Sequence, residues 1–351
     1  MQNKKILICY NEPVTFYSNY LGKDFENKNE ITDLSETEFI KNLNLLQVSL
    51  LKNYTSVEFL GLNKDIQTAL RKIKKHNPDV IFNFVESIEG DTNFESFIPG
   101  LFDIMDIQYT GNNSMCLGNC LHKIRTKQLL DFNEVKTPAY QVIDVKDKIE
   151  EEFIKLKYPI IMKIVTEDAS IGISENSVVY DFAALKRQSN FLFRNYKKSV
   201  VLEEYINGRE LNVSILGGNV LPISEISFSG LPKLLPKIVT YEAKWAPGSV
   251  YFANTNPICP AQLNDKLANK VKETALKAYH ALSCRDYARV DIRLDKNNLP
   301  YVIEINPNPD ISPDTGFVRS SKAAGIDYNE LLHKLAQFAL KRAENDSKNN
   351  N

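Results

Sequence analysis

The chain of 351 residues carries 43 lysines and arginines against 44 aspartates and glutamates, which leaves a formal net charge of -1. This balance gives no overall basic surface of the kind that favours nucleic acid or an anionic membrane as partner. A hydrophobic content of 43% at this length predicts a soluble protein with a substantial core, divided into two or three domains.

The N-terminal part of the chain alternates predicted strands and helices. Buried, strand-like runs lie at residues 5–10 and 79–85, and residues 39–51 between them have the apolar spacing of a helix. This alternation is typical of a mostly parallel sheet.

Residues 11–35 are polar, aromatic and weakly periodic, which predicts an inserted loop. Long loops of this kind are usually functional or mobile, and one hypothesis is that this loop acts as a lid.

Further elements follow along the chain. Residues 121–132 predict a helix that precedes a domain boundary. A second block opens with a strand over residues 158–165 and closes with another over residues 200–206. The last predicted helix covers residues 328–342. The polar residues after it, 343–351, are poor in apolar side chains and are expected to be disordered.

The most informative segment is residues 288–308, where two alternating, β-branched runs flank a polar turn and predict a β-hairpin. Because side chains alternate between faces, Asp291 shares a face with Arg289, and Glu304 shares a face with Asn306. If those faces coincide, two carboxylates and an amide oxygen converge on a site suited to Mg²⁺ and substrate phosphates. A solvated hairpin face is the alternative, but charges inside apolar strands are costly unless paired or metal-bound.

Lys163 lies in the middle of an apolar predicted strand, where an ammonium group is costly without an anionic partner. A phosphate would satisfy it. The loop that follows, residues 166–172, offers small residues and backbone N–H groups that could wrap a triphosphate. This loop matches neither the Walker pattern nor a dinucleotide-binding pattern, so by itself it is a weak signal.

Acidic side chains surround the end of the strand at residues 200–206. Glu203 precedes a glycine turn and Glu210 follows it. This arrangement suits a strand that links two domains, with one carboxylate at an adenine amino group and another at ribose hydroxyls. A charged edge strand beside a surface turn explains the same residues equally well.

The chain has the features of a cytoplasmic protein. No apolar run reaches the roughly 20 residues that a membrane helix needs, and the amino terminus has no secretory-signal pattern. The five cysteines are an odd number scattered along the chain, which favours reduced thiols. Cys116 and Cys120 are spaced so that they could share a metal, yet no second cysteine or histidine pair accompanies them. Packing in the core is therefore the favoured interpretation of these two thiols.

The order of the motifs along the chain is itself a pattern. In sequence they are Lys123, Lys163 with its loop, Glu203, Glu210, the run Tyr241-Glu-Ala-Lys244, the run Arg289-Val-Asp291 and the run Glu304-Ile-Asn306. In order and spacing this set resembles the ATP-grasp superfamily and, within it, the D-alanine–D-alanine ligase family. The likeness extends over roughly residues 79–339.

The resemblance implies an α/β fold, with an α+β ATP-binding part of the ATP-grasp type and a Rossmann-like N-terminal domain. The domains would be residues 1–121, residues 122–202 and residues 203–342. ATP would bind between the second and third domains, and the substrates would enter beneath the first.

The resemblance also implies roles for individual residues. ATP would be bound by Lys123, Lys163, Ser170, Gly172, Glu203, Tyr205, Ile206 and Glu210. The metal ligands would be Asp291, Glu304 and Asn306, holding two Mg²⁺ ions, for which Mn²⁺ is an alternative. Arg289 and Lys244 would steady the γ-phosphate and the charge on the reacting carboxyl group. Glu36, in a looser match at residues 35–39, would anchor a substrate ammonium group.

Several residues near the expected substrate site depart from the family pattern. Ala169 and Trp245 stand where the family has a serine and a tyrosine, so a hydroxyl network beside the first substrate is lost. Asp310 replaces a glycine, and Asp314 and Thr315 follow nearby. Acidic side chains there would repel a free α-carboxylate and favour a cationic or carboxylate-masked acceptor.

Together these implications predict an ATP-dependent carboxylate–amine ligase that acts on an amino acid, peptide or similar small acid through an acyl phosphate. Two alternatives stay open: a D-alanine–D-alanine ligase of cell-wall synthesis, and an ATP-binding regulatory protein without ligase activity. The expected partners are small molecules or peptides, with neither nucleic acid nor membrane among them. The resemblance also makes a homodimer possible.

Overall fold

The computed structural model describes the backbone of residues 1–24 and 34–349, and the side chains of residues 1–24 and 39–345. Within these limits the chain forms three sheets, each covered by helices. None of the helices in this part of the chain combines the length and the apolar character needed to cross a membrane.

The first block is built on a parallel sheet. Its strands are β1 (Gln2–Asn11), β2 (Tyr54–Leu62) and β3 (Val80–Phe84), in the order β2-β1-β3. Its helices are α1 (Leu34–Leu50), α2 (Ile66–His76), α3 (Phe97–Ile104) and α4 (Ser114–Leu121). The predicted strands at residues 5–10 and 79–85, the helix between them and the parallel pairing are confirmed.

The second block is an antiparallel sheet entered through helix α5 (Lys123–Phe132). Its strands are β4 (Tyr140–Ile143), β5 (Ile160–Ile164), β6 (Val178–Val179) and β7 (Val200–Glu204), in the order β4-β7-β5-β6. Helix α6 (Phe182–Tyr196) packs its apolar face on this sheet, where Leu185 and Leu192 join Ile160 and Met162 in one buried cluster. The strands predicted over residues 158–165 and 200–206 are confirmed.

The third block contains the sheet with the most strands. Its strands are β8 (Glu210–Leu216), β9 (Asn219–Val220), β10 (Ser224–Ser227), β11 (Asn256–Ile258), β12 (Tyr287–Leu294) and β13 (Pro300–Asn306). The order is β11-β10-β8-β12-β13, and β9 pairs with β8. Its helices are α7 (Tyr241–Trp245), α8 (Val250–Asn254), α9 (Asp265–Ala281) and α10 (Gly316–Ala323).

Strands β12 and β13 form the predicted antiparallel hairpin. Asp291 pairs with Glu304, and Arg289 pairs with Asn306. Residues that pair directly in an antiparallel ladder lie on the same face, so the two predicted faces coincide. Because β12 lies between β8 and β13, these charged side chains project from an internal strand held on both sides.

The final helix, α11 (Tyr328–Asn349), packs across the first sheet, where Leu331 and Leu335 join Ile6 and Ile8 in one cluster. The composition of residues 343–351 predicts disorder, but the chain stays helical as far as Asn349. No glycine or proline interrupts this stretch, so nothing in it ends the helix.

One predicted helix start also differs from the structure. The helix expected over residues 121–132 begins at Lys123, because His122 has an extended backbone with φ -88° and ψ 92°. This residue separates α5 from α4, and Leu121 belongs to α4.

Candidate active site

A cavity of about 260 Å³ lies between the sheets of the second and third blocks. The predicted site residues that line it are Lys123, Lys163, Ser170, Glu210, Lys244, Arg289, Asp291 and Glu304. They come from both sheets, from helices α5 and α7, and from the loop after β5. The fold therefore brings together residues that are spread over most of the C-terminal two thirds of the chain.

Asp291 and Glu304 are the acidic pair of this cavity, opposite each other on the hairpin. Arg289 donates from Nε and Nη2 to the two carboxylate oxygens of Asp291, at 2.8 Å each. Asn212 on β8 adds a hydrogen bond to Asp291 Oδ1 at 2.7 Å. These donors fix the orientation of the Asp291 carboxylate.

The second acid, Glu304, stays ionised in a positive field. Burial disfavours its charged form, yet neighbouring cations hold its pKa at about 2. Those cations are Lys123, Lys163, Lys244 and Arg289. Two carboxylates among ammonium groups fit a divalent cation that also meets phosphate oxygens, because Mg²⁺ takes one or two carboxylates and completes its shell from water and phosphate.

The third predicted metal ligand, Asn306, is placed differently. It lies opposite Arg289 in the ladder but does not line the cavity. Its Oδ1 accepts the backbone N–H of Asn308 at 2.9 Å. This is an Asx turn, in which the side chain stabilises the backbone where the strand ends. The structure thus brings Asp291 and Glu304 to the cavity. Asn306 stabilises the turn with one lone pair of its amide oxygen, and its role as a metal ligand stays a prediction.

Glu203 is buried beside two lysines and is not part of the cavity lining. Lys163 donates to its Oε2 at 3.1 Å, and Lys127 Nζ lies 3.3 Å from its Oε1. Although burial opposes ionisation, these two lysines lower the pKa of Glu203. Glu203 is therefore a counter-ion for Lys163 and Lys127. Its predicted contact with adenine stays a prediction.

Sequence reasoning gave Lys127 no role. Its position one helical turn after Lys123 is a signal for a shared direction on α5, but its partner Glu203 is distant in sequence. Lys127 Nζ also donates to Thr137 Oγ1 at 2.8 Å and lies over the ring of Tyr140 at 5.3 Å.

Asp168, in the loop after β5, presents a carboxylate to the cavity. Lys123 Nζ donates to Asp168 Oδ1 at 3.1 Å and also to the carbonyl oxygen of Glu167. Burial raises the pKa of Asp168 to about 6; Lys123 opposes this rise and the neighbouring Glu304 adds to it. The Asp168 carboxylate therefore forms with the Lys123 ammonium group the same kind of charged hydrogen bond that a phosphate oxygen would form.

The loop at residues 166–172 is tied to its surroundings at both ends. Ala169 and Ser170 have left-handed backbones, with φ 52° and 63°. Ser170 Oγ donates to the carbonyl oxygen of Val239 at 3.0 Å. Gly172 does not line the cavity, and its N–H donates to the carbonyl oxygen of Tyr20 at 2.9 Å. Ser170 thus forms part of the cavity wall, and Gly172 anchors the loop.

Glu210 and Arg293 line the cavity from the third sheet, where they pair across strands β8 and β12. Arg293 Nη2 donates to Glu210 Oε2 at 2.6 Å, and Nη1 donates to the carbonyl oxygen of Ile206 at 2.8 Å. The guanidinium lies over the ring of Tyr205 at 5.0 Å. Tyr205 and Ile206 therefore hold the side chain of Arg293 in place. Arg293 was given no role from the sequence.

Apolar side chains complete the cavity. They include Ile161, Ile173, Ile226, Ile238 and Pro257. Such a lining beside a few fixed polar groups suits a planar aromatic base with an attached sugar.

Lys244, Arg289 and Arg319 supply positive charge to the cavity. Burial and the neighbouring Arg289 lower the pKa of Lys244, while Glu304 and Asp291 oppose that effect. Arg319, on α10, was missed by sequence reasoning because nothing in its neighbours marks it. Its Nη2 donates to the carbonyl oxygen of Asp314 at 2.9 Å. These cations can neutralise a reacting carboxylate and a transferring phosphoryl group.

The residues predicted to face the substrates do not line the cavity. Asp310 Oδ1 accepts the backbone N–H of Ser312 at 2.7 Å. Thr315 precedes α10, and its hydroxyl lies 2.8 Å from the carbonyl oxygen of Asp310. The exposed Asp314 lies in the turn between them. Trp245 Nε1 donates to the carbonyl oxygen of Ala169 at 3.4 Å. Glu36 falls outside the described side chains.

The chain is similar in sequence to known proteins over most of its length. The family model described as "D-ala D-ala ligase C-terminus" matches residues 124–337. The D-alanine–D-alanine ligase of Carboxydothermus hydrogenoformans is 31% identical over 302 residues, which are 83% of this chain and 90% of that protein. The uncharacterized protein y4sG of Sinorhizobium fredii is 30% identical over 290 residues, covering 80% of this chain and 82% of that protein.

Solved structures agree in fold. The D-alanine–D-alanine ligase of Bacillus anthracis superposes with a TM-score of 0.75 at 24% identity, covering 98% of this chain and 99% of that one. Its complex with ATP gives a TM-score of 0.74 at 22% identity, with the same coverage. The predicted α/β architecture of the ATP-grasp type is thereby confirmed. With a family model over more than half of its length, this chain belongs to the D-alanine–D-alanine ligase family, whose members are ATP-grasp ligases that form carbon–nitrogen bonds.

Proposed function

We propose that this protein joins a small carboxylic acid, such as an amino acid, to an amine in an ATP-dependent reaction that passes through an acyl phosphate. The observation that carries the proposal is the convergence of an acidic pair, Asp291 and Glu304, with the cations Lys123, Lys163 and Arg289 in one cavity. A protein that only senses ATP has little need for acids and cations placed together at the phosphate end.

A carboxylate is a poor electrophile, because its substitution would expel oxide. Transfer of the γ-phosphoryl group from ATP to a carboxylate oxygen gives an acyl phosphate and ADP. The amine nitrogen then attacks the acyl carbon, the carbon–oxygen bond to phosphate breaks, and an amide, phosphate and a proton result. No covalent intermediate with the protein is needed.

The chain's own residues contribute position and charge. Lys123 and Lys163 bind phosphate oxygens, and Arg289 and Lys244 neutralise the charge that grows on the transferring group and on the acyl oxygen. Glu210 and Arg293 fix the nucleoside end. Asp291 and Glu304 would hold Mg²⁺, and the bound ion would neutralise phosphate charge. Catalysis is then mainly a matter of orientation and electrostatics.

The identity of the acceptor is a finer proposal. Asp310 and Asp314 do not line the cavity, but they place negative charge just before α10, the helix whose Gly316 and Arg319 do line it. A free α-carboxylate on an acceptor that enters there would be repelled. Arg319 instead brings positive charge to the cavity and suits the carboxylate of the donor acid. A cationic or carboxylate-masked amine is therefore the proposed acceptor. D-alanine is the second candidate, supported by the 31% identity to a D-alanine–D-alanine ligase.

A screen of acid and amine pairs tests this proposal. Phosphate release from ATP should depend on both partners, and mass spectrometry should detect the amide. A cationic amine is expected to react with a kcat/KM at least about tenfold above that of D-alanine, a difference of about 1.4 kcal/mol. In the variant Asp310→Gly, the ratio of kcat/KM for the cationic amine to kcat/KM for D-alanine should be smaller. A wild-type preference for D-alanine would favour the second candidate, and ATP binding without release would favour a regulatory protein.

A second expectation concerns ATP affinity. Because Lys123 is paired with Asp168, ATP must displace this carboxylate before its phosphates meet the ammonium group. Asp168→Gly is therefore expected to lower the KM for ATP by about tenfold, which corresponds to about 1.4 kcal/mol. Asp168→Asn keeps the shape of the side chain and should act in the same direction. An increase in KM in both variants would show that the carboxylate assists nucleotide binding.

Compartment and assembly are further parts of the proposal. Each of the five cysteines is a free thiol, which supports a location in the cytoplasm. A homodimer and small-molecule substrates are expected from the family resemblance, and sedimentation of the full chain would measure the assembly.

A further inference from the structure

Three cysteine thiols meet outside the cavity, between the first and third blocks. Cys116 and Cys120 lie on α4, and Cys284 lies between α9 and β12. The three Sγ atoms all lie within 4.8 Å of one another, and those of Cys116 and Cys284 are 3.5 Å apart. All three side chains are buried.

We propose that Cys116, Cys120 and Cys284 form a binding site for one soft metal ion, namely Cu(I) in a three-coordinate arrangement. Nothing in this inference depends on the proposed ligase reaction. Metal–thiolate bonds of about 2.3 Å place three sulfurs of a trigonal site about 4 Å apart. The observed separations need only small side-chain rotations to reach that spacing.

The ligand set selects the ion. Thiolates are soft ligands, which favour Cu(I) and zinc over Mg²⁺ or Ca²⁺. Structural zinc is almost always bound by four protein ligands in a tetrahedron. Among the described residues, the group of metal-binding side chains at this place has three members and no histidine or carboxylate completes it. A buried site with three sulfurs therefore suits Cu(I), which accepts trigonal coordination, better than zinc.

The guanidinium of Arg285 helps to balance the charge of such a site. Arg285 follows Cys284 in the chain, and its guanidinium is fixed by a hydrogen bond from Nε to the carbonyl oxygen of Gly111 at 2.8 Å. Its Nη2 is buried and has no hydrogen-bond partner among the described residues. Replacing thiol protons by Cu(I) leaves net negative charge on the sulfurs, which a neighbouring guanidinium stabilises.

The three thiols differ from cysteines that are simply packed in the core, because they come from distant segments and meet at one point. Cys9 is equally buried, but it lies in a different apolar cluster that contains no other cysteine. The three clustered thiols come from two segments far apart in sequence. A bound ion would link α4 of the first block to the start of β12, the strand that carries Arg289 and Asp291, and so would stabilise the folded chain.

Anaerobic titration of the full chain with Cu(I), in competition with a chromogenic Cu(I) chelator, tests the site. We expect one ion per chain, a rise in the thermal unfolding midpoint, and an X-ray absorption spectrum with sulfur neighbours alone. Loss of a residue that only supports a metal ligand typically weakens metal binding 10–100-fold. Because Cys284 would be a ligand itself, Cys284→Ser should weaken Cu(I) binding by at least about 100-fold. Cys120→Ser, on the other segment, should give the same loss.

The matched control is Cys259→Ser, because Cys259 lies outside the cluster and is partly exposed. It should bind Cu(I) as the wild type does. Circular dichroism of each variant separates loss of the site from loss of the fold, and the wild-type titration stands without any variant. The proposal is overturned if the wild type binds no Cu(I), if both cluster variants bind it undiminished, or if Zn²⁺ displaces it at equal concentration.

Discussion

Asp291→Asn and Glu304→Gln are each expected to reduce ADP formation by about two to three orders of magnitude. Both substitutions keep the size of the side chain and remove the negative charge that would hold a divalent cation at the phosphates. In Asp291→Asn the hydrogen bonds from Asn212 and Arg289 also lose their charged acceptor. Initial rates of ADP formation with the preferred substrate pair measure the effect.

Asp265→Ala is the matched control, because Asp265 is an exposed acid at the start of α9 that does not line the cavity. Its rate should equal that of the wild type. Thermal unfolding shows whether a slow variant is still folded. Turnover at the wild-type rate in both Asp291→Asn and Glu304→Gln would contradict the assignment of the acidic pair.

Glu203→Ala is expected to lower the free energy of unfolding by about 3–5 kcal/mol, because it leaves buried positive charge without a counter-ion. Lys127 is only 2% exposed and Glu203 only 1%, so water cannot replace the lost carboxylate. Lys163 loses the same partner. Urea unfolding followed by circular dichroism measures the change.

Two further variants test the cause of that loss. Glu204→Ala removes the next acid of β7, whose Oε1 accepts the exposed backbone N–H of Lys157, and should cost about 1 kcal/mol or less. Glu203→Leu combined with Lys127→Met replaces charge by apolar volume and should recover part of the stability. Equal losses for Glu203→Ala and Glu204→Ala would show that Glu203 is not a buried counter-ion.

The hairpin was predictable from sequence because its information is local. Alternation along β12 and β13 determines which side chains share a face, and the polar turn between the strands sets their pairing. The acidic pair Asp291 and Glu304 therefore follows from the sequence. Asn306 shares the same alternation, yet its amide bonds to the backbone of Asn308, a short-range competition that periodicity does not report.

Roles that depend on distant partners were not predictable in the same way. The ion pairs of Glu203 with Lys127 and Lys163 join residues far apart in sequence, so no local pattern reports them. Arg293 lies on the face of β12 that the alternation predicts, but its partner Glu210 comes from the distant strand β8. Arg319 carries no motif and is brought to the cavity by the position of α10. Cys284 completes a cluster with Cys116 and Cys120 from a remote part of the chain, so the spacing of the first two could not reveal it.

The reaction path can be tested directly by following a labelled oxygen atom. A donor acid carrying heavy oxygen in its carboxyl group is incubated with ATP, the amine and the wild-type protein, and the released phosphate is analysed by mass spectrometry. Passage through an acyl phosphate predicts that one labelled oxygen leaves with each phosphate. Phosphate without label would contradict activation of the carboxylate by ATP, which is the central claim for this cavity.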